Sequence, residues 1–371
     1  MKFAAGSTDL QRTLSKLSGV LPSRSTMPIL ENILFDLTGN NLTMTATDLS
    51  LTLTVGMEVQ GIEDGKVAVP AKRLVDTIRS LPDINATFSV DSGADRVMIS
   101  TSNGEYTLVG ESAKDYPQVP PFQAAGSLEF ETDVLRGIIY RTVFAVSSDE
   151  LRPAMMGVLF QSYEGALRVV STDGHRLVRL VYQGVDLTAL KKDIIIPAKA
   201  LSVLARSTDG RKIDCSFSTT HARFEFENSV LVTRLIDETY PNYESVIPAE
   251  NDKTLRIDRE QLIGAIRRVA LYASAATHQV RLTVSPASLV ITAQDVDFGG
   301  EAKENVSCEY SAEEMDIGFN SVYLTDILSH LEGSEVQIKF SSPTRAAIVA
   351  PVEGAGEEDV LMLVMPVRLN T

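Results

Sequence analysis

Apolar residues recur along the chain at two spacings, and the order in which the spacings alternate repeats three times. Leu10, Leu14 and Leu17 are spaced as on one face of a helix, as are Leu135, Ile139 and Val143, and Leu262, Ile266 and Val269. Each set predicts an amphipathic helix. A strand, a tight turn and a second strand follow each one, in ILFDLTGNNLTMTATD, VLFQSYEGALRVVSTD and RLTVSPASLVITAQD, with Leu42, Leu167 and Leu289 just past the turns. Those leucines lie 125 and 122 residues apart.

A second helix is predicted later in each stretch, in VPAKRLVDTIRSL, IPAKALSVLARST and FNSVYLTDILSHL, where Leu74, Leu201 and Leu324 fall in register 127 and 123 residues apart. Pro70 and Pro197 fit helix starts, where a missing N–H costs nothing. From Leu49 to Val59 the odd positions are Leu49, Leu51, Leu53, Val55, Met57 and Val59, mostly with Thr and Glu between them. That alternation predicts half-buried antiparallel sheet. Each stretch closes on an apolar strand running into a proline, Pro117, Pro241 or Pro366, 124 and 125 residues apart. Four kinds of anchor in one order indicate a triplication, with copies at 1–124, 125–249 and 250–371. The expected fold is α+β, three repeated domains each with two helices packed on antiparallel sheets.

Length agrees, since 371 residues divide into three domains each large enough for its own core. Cys215 and Cys308 share no metal or redox spacing and are expected to be free thiols in a reducing cytoplasm. The N-terminus MKFAAGSTDL lacks a signal-peptide run and no segment is long enough to span a membrane, so a cytoplasmic protein without a membrane partner is expected.

Charge changes the picture through its distribution. The net charge of −15 argues against nucleic acid. Yet the helices, predicted at 8–19, 71–81, 132–144, 198–207, 258–271 and 321–332, hold twelve basic and seven acidic residues. They are net +5, leaving −20 elsewhere. Their cations are Arg12, Lys16, Lys72, Arg73, Arg79, Arg136, Arg141, Lys199, Arg206, Arg259, Arg267 and Arg268. Copies arranged in a ring with helices inward would sum these charges on one lining, with the acidic remainder outside.

Catalytic signatures are missing. There is no GxxxxGK[ST] or GxGxxG, and His175, His221, His278 and His330 share no ligand spacing, so neither metal nor cofactor is expected. The compact polar cluster STDGHRL, Ser171 to Leu177, could pair Asp173 and His175 with a serine, but no nucleophile elbow accompanies it. A turn in which a polar side chain caps its own backbone is the favoured alternative. An enzyme using Asp173 and His175, and a repeat-built scaffold that never meets DNA, remain the competing readings.

The segments MPIL, ATDL, VPAK, STDGHRL, YPNY and VMPVRL, spread over essentially the whole length, closely resemble the bacterial DNA polymerase III beta subunits, the replicative sliding clamps. The resemblance implies a non-catalytic processivity factor, a head-to-tail homodimer closing into a ring around duplex DNA. Its implied partners are the clamp loader, the replicative polymerase catalytic subunit, and other polymerases and repair proteins that carry short peptide motifs. It implies DNA contact by the helical cations Arg12, Lys16, Lys72, Arg73, Arg79, Arg136, Arg141, Lys199, Arg206, Arg267 and Arg268, by Arg24, and by Ser148 and Asp149 in the SSDELRP loop. It also implies a dimer joint of Tyr106 and Leu108 against Leu271 and Tyr272.

The peptide pocket it implies comprises Met155, Thr172, Gly174, His175, Arg176, Leu177, Pro241, Val246, Thr344, Ala346, Val364, Met365, Pro366, Val367, Arg368 and Leu369. Three features depart from the family pattern: Ser245 stands where some relatives carry arginine, Asn370 and Thr371 extend past the usual terminal leucine, and Gly354 to Asp359 reads as an acidic hairpin tip.

Overall fold

The computed structural model describes the chain apart from residues 23, 92, 94, 120–121, 125, 186, 188–189, 296–297, 353–357 and 370–371. Among the described residues there are six α-helices: α1 (Ser7–Ser18), α2 (Ala71–Ser80), α3 (Thr132–Val143), α4 (Ala198–Ser207), α5 (Arg259–Ala270) and α6 (Ser321–Ser329). They match the six expected segments to within three residues at either end. The leucines that anchor the repeat are core residues. Leu42, Leu167 and Leu289 are all fully buried, as are Leu74, Leu201 and Leu324.

Local chemistry sets the ends of these elements. Pro70 and Pro197 each end a strand and hand over directly to α2 and α4. In α6 the Asn320 side chain accepts from the N–H groups of Val322 and Tyr323, doing by hydrogen bonding what proline does elsewhere by its missing donor. Asp258 caps α5 by accepting from the Gln261 N–H.

The strands are antiparallel throughout and form four sheets. Two are composites. In the eight-stranded sheet, Leu51–Glu58 of the first copy pairs with Ser229–Arg234 of the second. In the nine-stranded sheet, Arg176–Tyr182 of the second copy pairs with Glu358–Val364 of the third. The other two sheets belong to single copies: five strands ending at Glu105–Val109, and four ending at Gly300–Ser307. The chain divides into two compact units, Met1–Leu135 with 188–190 and Lys199–Leu235, and Arg136–Leu187 with Lys191–Ala198 and Ile236–Thr371. Each unit holds one composite and one single-copy sheet.

Two expectations shift. The alternating strand begins at Leu51, and Leu49 is more than half exposed with φ of 75°. It sits in a turn whose Asp48 carboxylate accepts from the N–H groups of Ser50 and Leu51, so the apolar side chain is spun outward. Pro117 and Pro241 do not close strands either, lying in coil seven or eight residues beyond Val109 and Arg234. Only Pro366 follows closely on a strand, two residues after Val364.

Candidate functional site

STDGHRL is a turn between strands Ala166–Thr172 and Arg176–Tyr182. The Asp173 carboxylate accepts from the N–H groups of His175 (2.8 Å) and Arg176 (2.9 Å), and Gly174 takes φ of 90°. The Thr47–Leu51 turn of the first copy has the same bonds, with Leu49 at the glycine position. Ser171 Oγ donates to the Thr142 carbonyl at 2.6 Å, and the His175 ring stacks on Tyr323 at 5.5 Å. Ser171 is therefore committed to the backbone and Asp173 to the backbone and the Arg176 side chain, and no serine, histidine and aspartate relay is assembled here.

Behind the turn lies an apolar floor. Leu177 and Ala346 join Leu159, Val170, Ile195, Tyr243 and Leu363 in one buried cluster, with Ala154, Ile236, Tyr240, Ile247 and Leu361 partly buried around it. Met155 and Thr172 are buried beside it, and Val246, Pro241, Thr344 and His175 are exposed. Pro241 lines an adjoining concavity of about 520 Å3 that shares Leu159, Ile195 and Tyr243 with the cluster. Val364 pairs with Arg176, and the Met365 N–H donates to the His175 carbonyl at 2.8 Å, which sets the 39 % exposed Met365 against the turn.

The rest of the expected pocket separates. The Val367 N–H donates to the Gly318 carbonyl at 2.9 Å, and a Cβ built on Gly318 would stand 2.7 Å from Leu369 Cδ2. Val367 and Leu369 thus pack on strand Met315–Asn320 instead of the apolar floor, while Arg368 is exposed and Pro366 half-buried. Arg176 is 9 % exposed and engaged at each nitrogen: Nε on Asp173 (3.1 Å), Nη1 on Asp326 (2.6 Å), Nη2 on the Phe144 carbonyl (2.8 Å). Its guanidinium lies over Tyr323 and Phe144. It braces the turn through all three of its nitrogens, using three of its five N–H donors. Sequence reading missed Leu363, Tyr323 and the tyrosines Tyr240 and Tyr243, although YPNY itself contains the last two. Asn370, Thr371 and Gly354 to Glu357 lie outside the described residues, and Ser245 Oγ donates to the Asn242 carbonyl.

The helical cations divide as well. Arg12, Lys16 and Arg206 come together on a groove of about 760 Å3 between α1 and α4, lined with the hydroxyls of Thr8, Ser15, Ser18 and Ser207. Yet Lys16 is paired with Asp209 at 2.8 Å and its side chain is only 13 % exposed. Arg141 is buried, with Glu332 at 2.9 Å and Glu358 at 2.6 Å, which removes it from any free lining. Lys199 holds Asp48 and the Val20 carbonyl, Arg268 holds Glu304, and Arg12 lies 3.6 Å from Asp9. Lys72, Arg73, Arg79, Arg136, Arg206 and Arg267 are exposed and make no ion pair with the described residues, and neither does Arg24. Ser148 is exposed. Asp149 spends its carboxylate on the Leu151 N–H and Arg152, which hold its pKa below the usual value, and has no donor to offer a phosphate.

The residues expected at a dimer joint lie at or near two of the sheet-edge strands, Glu105–Val109 and Gly300–Ser307. Tyr106 is 38 % exposed on Glu105–Val109, but Leu108 is buried in its own copy. Leu271 and Tyr272, just past α5, are 82 % and 48 % exposed, and a Cβ built on Gly300, at the start of the Gly300–Ser307 edge, would stand 3.5 Å from the Tyr272 ring. Among the described residues no three or more His, Cys, Asp or Glu side chains stand together as metal ligands, and no helix is long and apolar enough to cross a membrane. Cys215 is buried and Cys308 half-buried, both free, with their thiol pKa values raised by burial.

Comparison with known proteins agrees over the full length. Residues 1–120, 129–242 and 244–368 match the N-terminal, central and C-terminal domain models of the DNA polymerase III beta subunit. The beta sliding clamps of Vibrio cholerae and Synechococcus elongatus are each 31 % identical, with 100 % of both chains covered. Among solved structures, the sliding clamp of Bartonella birtlesii bound to griselimycin superposes with a TM-score of 0.94 at 30 % identity, covering both chains completely. The Caulobacter crescentus clamp, with polyethylene glycol bound to a region assigned to beta-motif tethering, gives 0.91 at 30 %, covering 100 % of this chain and 99 % of that one. A fold built of three like copies, with the matched motifs seated in the turns and strands just described, places this chain in the DNA polymerase III beta subunit family, the beta sliding clamps.

Proposed function

We propose that the protein is a non-catalytic DNA sliding clamp, a head-to-tail homodimer of three-domain chains that closes into a ring around duplex DNA and holds polymerases on it. The observation that carries the closure is the pair of unfinished sheets. Inside the chain, the third strand of one copy's first sheet pairs with the last strand of the next copy at both junctions, Leu51–Glu58 with Ser229–Arg234 and Arg176–Tyr182 with Glu358–Val364. The matching strands left over are Gly300–Ser307 and Glu105–Val109, both at sheet edges. A second copy supplies the missing partner for each. Such a contact is heterologous, and two of them close a ring. Tyr106 on one edge, and Leu271 and Tyr272 beside the other, give the joint apolar surface to bury.

Within this reading the copies are domains at 1–124, 125–249 and 250–371. The exposed cations, led by Arg24, Lys72, Arg73, Arg79, Arg136, Arg206 and Arg267, meet phosphates without reading bases. The apolar floor around Leu177, Ala346 and Leu363, rimmed by Met155, Thr172, Pro241, Val246 and Met365, takes short peptide segments of the clamp loader, the replicative polymerase catalytic subunit and other polymerases and repair proteins. The protein works in the cytoplasm, without membrane, metal or cofactor. Once loaded on nicked circular DNA, the protein is expected to stay bound, and cutting the circle should release it by sliding from the ends. Equal retention on linear DNA with free ends would refute encirclement.

A further inference from the structure

The tenth residue of each copy's first helix is basic: Lys16 in α1, Arg141 in α3 and Arg268 in α5. In the first two copies it reaches two acids of the following copy. Lys16 Nζ lies 2.8 Å from Asp209 and 4.0 Å from Glu227; Arg141 lies 2.9 Å from Glu332 and 2.6 Å from Glu358. The acids are equivalent too. Asp209 and Glu332 are the twelfth residues counted from the starts of α4 and α6, each followed by a glycine, Gly210 and Gly333, with φ of 88° and 89°. Glu227 and Glu358 each lie four residues before an inward-facing strand residue, Leu231 and Met362, whose cross-strand partners Phe224 and Val349 face Cys215 and Ile338. The same two-acid clasp therefore closes both junctions inside the chain.

The first copy, which would follow the third across the dimer joint, carries no acid at either position. The twelfth residue from the start of α2 is Pro82. Phe88 faces Ile99, which faces Tyr106, and four residues before Tyr106 is Ser102, exposed at a turn. Arg268 is instead neutralised inside its own copy. Its Nε lies 3.2 and 3.1 Å from the two carboxylate oxygens of Glu304, and its Nη2 binds one of them as well. Glu304 faces Ile291 on the neighbouring strand, the register at which the other copies place Val55 opposite Met44 and Leu180 opposite Val169. A carboxylate thus replaces an apolar residue beside the cation that lacks outside partners.

We propose that the joint with a second copy of this chain is built without the clasp, and that Glu304 is the resident substitute that keeps Arg268 from forming one. This rests on the head-to-tail homodimer proposed above. Of the three kinds of junction, the one between chains is then the one without this two-acid clasp. A clasp can be installed to test it: Ser102→Glu supplies the missing acid on an exposed turn, and Glu304→Gln releases Arg268 with little change of shape. In full-length protein followed by sedimentation equilibrium over a range of concentrations, the double variant should dimerise at least about tenfold more tightly than Glu304→Gln alone, a difference of about 1.4 kcal/mol. Adding Arg268→Gln should abolish the gain. A dimer no tighter in Ser102→Glu/Glu304→Gln than in Glu304→Gln, with the wild type dimeric, would overturn the clasp and leave the homodimer standing. A wild type that stays monomeric at every concentration would overturn both.

Discussion

Arg141, buried, and His330, half-buried, show how much of this protein rests on single polar side chains. Arg141 carries a charge at a side-chain exposure of 7 %, offset by Glu332 and Glu358, and its Nε has no partner among the described residues. Removing one partner of a buried pair leaves the other charge uncompensated, which costs about 3–5 kcal/mol. Arg141→Ala is therefore expected to lower stability by about that much, read from denaturant unfolding, whereas Arg136→Ala, on the same helix but exposed, should change it by less than about 0.5 kcal/mol. His330 is stacked on Phe144 at 3.9 Å and tilted against Tyr140 at 4.5 Å, with Nδ1 donating to the Asp326 carbonyl at 2.7 Å. Burial holds its pKa below the ordinary 6.5, outweighing the nearby Asp326. Because the unfolded chain takes up this proton first, the stabilisation is complete above pH 6.5 and is lost as pH falls through the folded value. His330→Asn keeps a donor for the carbonyl but cannot titrate in this range. Its unfolding midpoint should fall less than that of the wild type between pH 7.5 and 5.5, and parallel profiles would refute the assignment.

At the scale of elements, the C-terminal tail is the part most open to a decisive substitution. Val367 and Leu369 lie against Gly318, where a Cβ would stand 2.7 Å from Leu369 Cδ2 and 2.8 Å from the Val367 carbonyl oxygen. Gly318→Ala should lift residues 367–369 while leaving strand Glu358–Val364 paired, and so shift Met365 at the rim of the apolar floor. The expected result is a folded dimer whose affinity for a polymerase-derived peptide, read by fluorescence polarisation, falls about tenfold. Unchanged affinity would show that the tail plays no part in the pocket. The elements themselves were legible because burial writes a local period into the chain: Leu42, Leu74 and their counterparts were marked by spacing alone, and all are buried. Pairings over long separations were not. Arg141 reads as a lining charge because its partner Glu332 stands 191 residues away, and Leu49 reads as strand because nothing in its alternation marks the turn bonds from Asp48. The site was half legible for the same reason, since STDGHRL and VMPVRL stand out as motifs while Tyr323 reaches His175, 148 residues away in sequence, only through tertiary packing.

For the whole molecule, the charge inventory separates two ways of holding DNA. The net charge is −15, and of the helical cations only Lys72, Arg73, Arg79, Arg136, Arg206 and Arg267 are exposed without an ion pair to described residues. If all six met phosphates, the logarithm of the affinity would fall with the logarithm of salt at a slope no steeper than about −5 per chain. Long-range repulsion from the acidic remainder weakens such binding further at low salt, where screening is least. Direct binding should therefore be weak and salt-sensitive. A ring held by topology need not bind tightly at all, and its residence on a closed circle should depend on the dimer joint instead of on phosphate contacts. The two mechanisms predict opposite behaviour as salt is raised. Binding to short linear duplex should vanish at moderate salt, while protein already loaded on nicked circles should stay until the joint itself gives way. Neutralising Arg73, Arg79 and Arg206 together should flatten the salt slope on linear duplex by about 3 if all three contact phosphate, yet leave the lifetime on circles within about twofold. A circle lifetime that collapses in parallel with linear-duplex affinity would mean that charge, and not closure, holds the DNA.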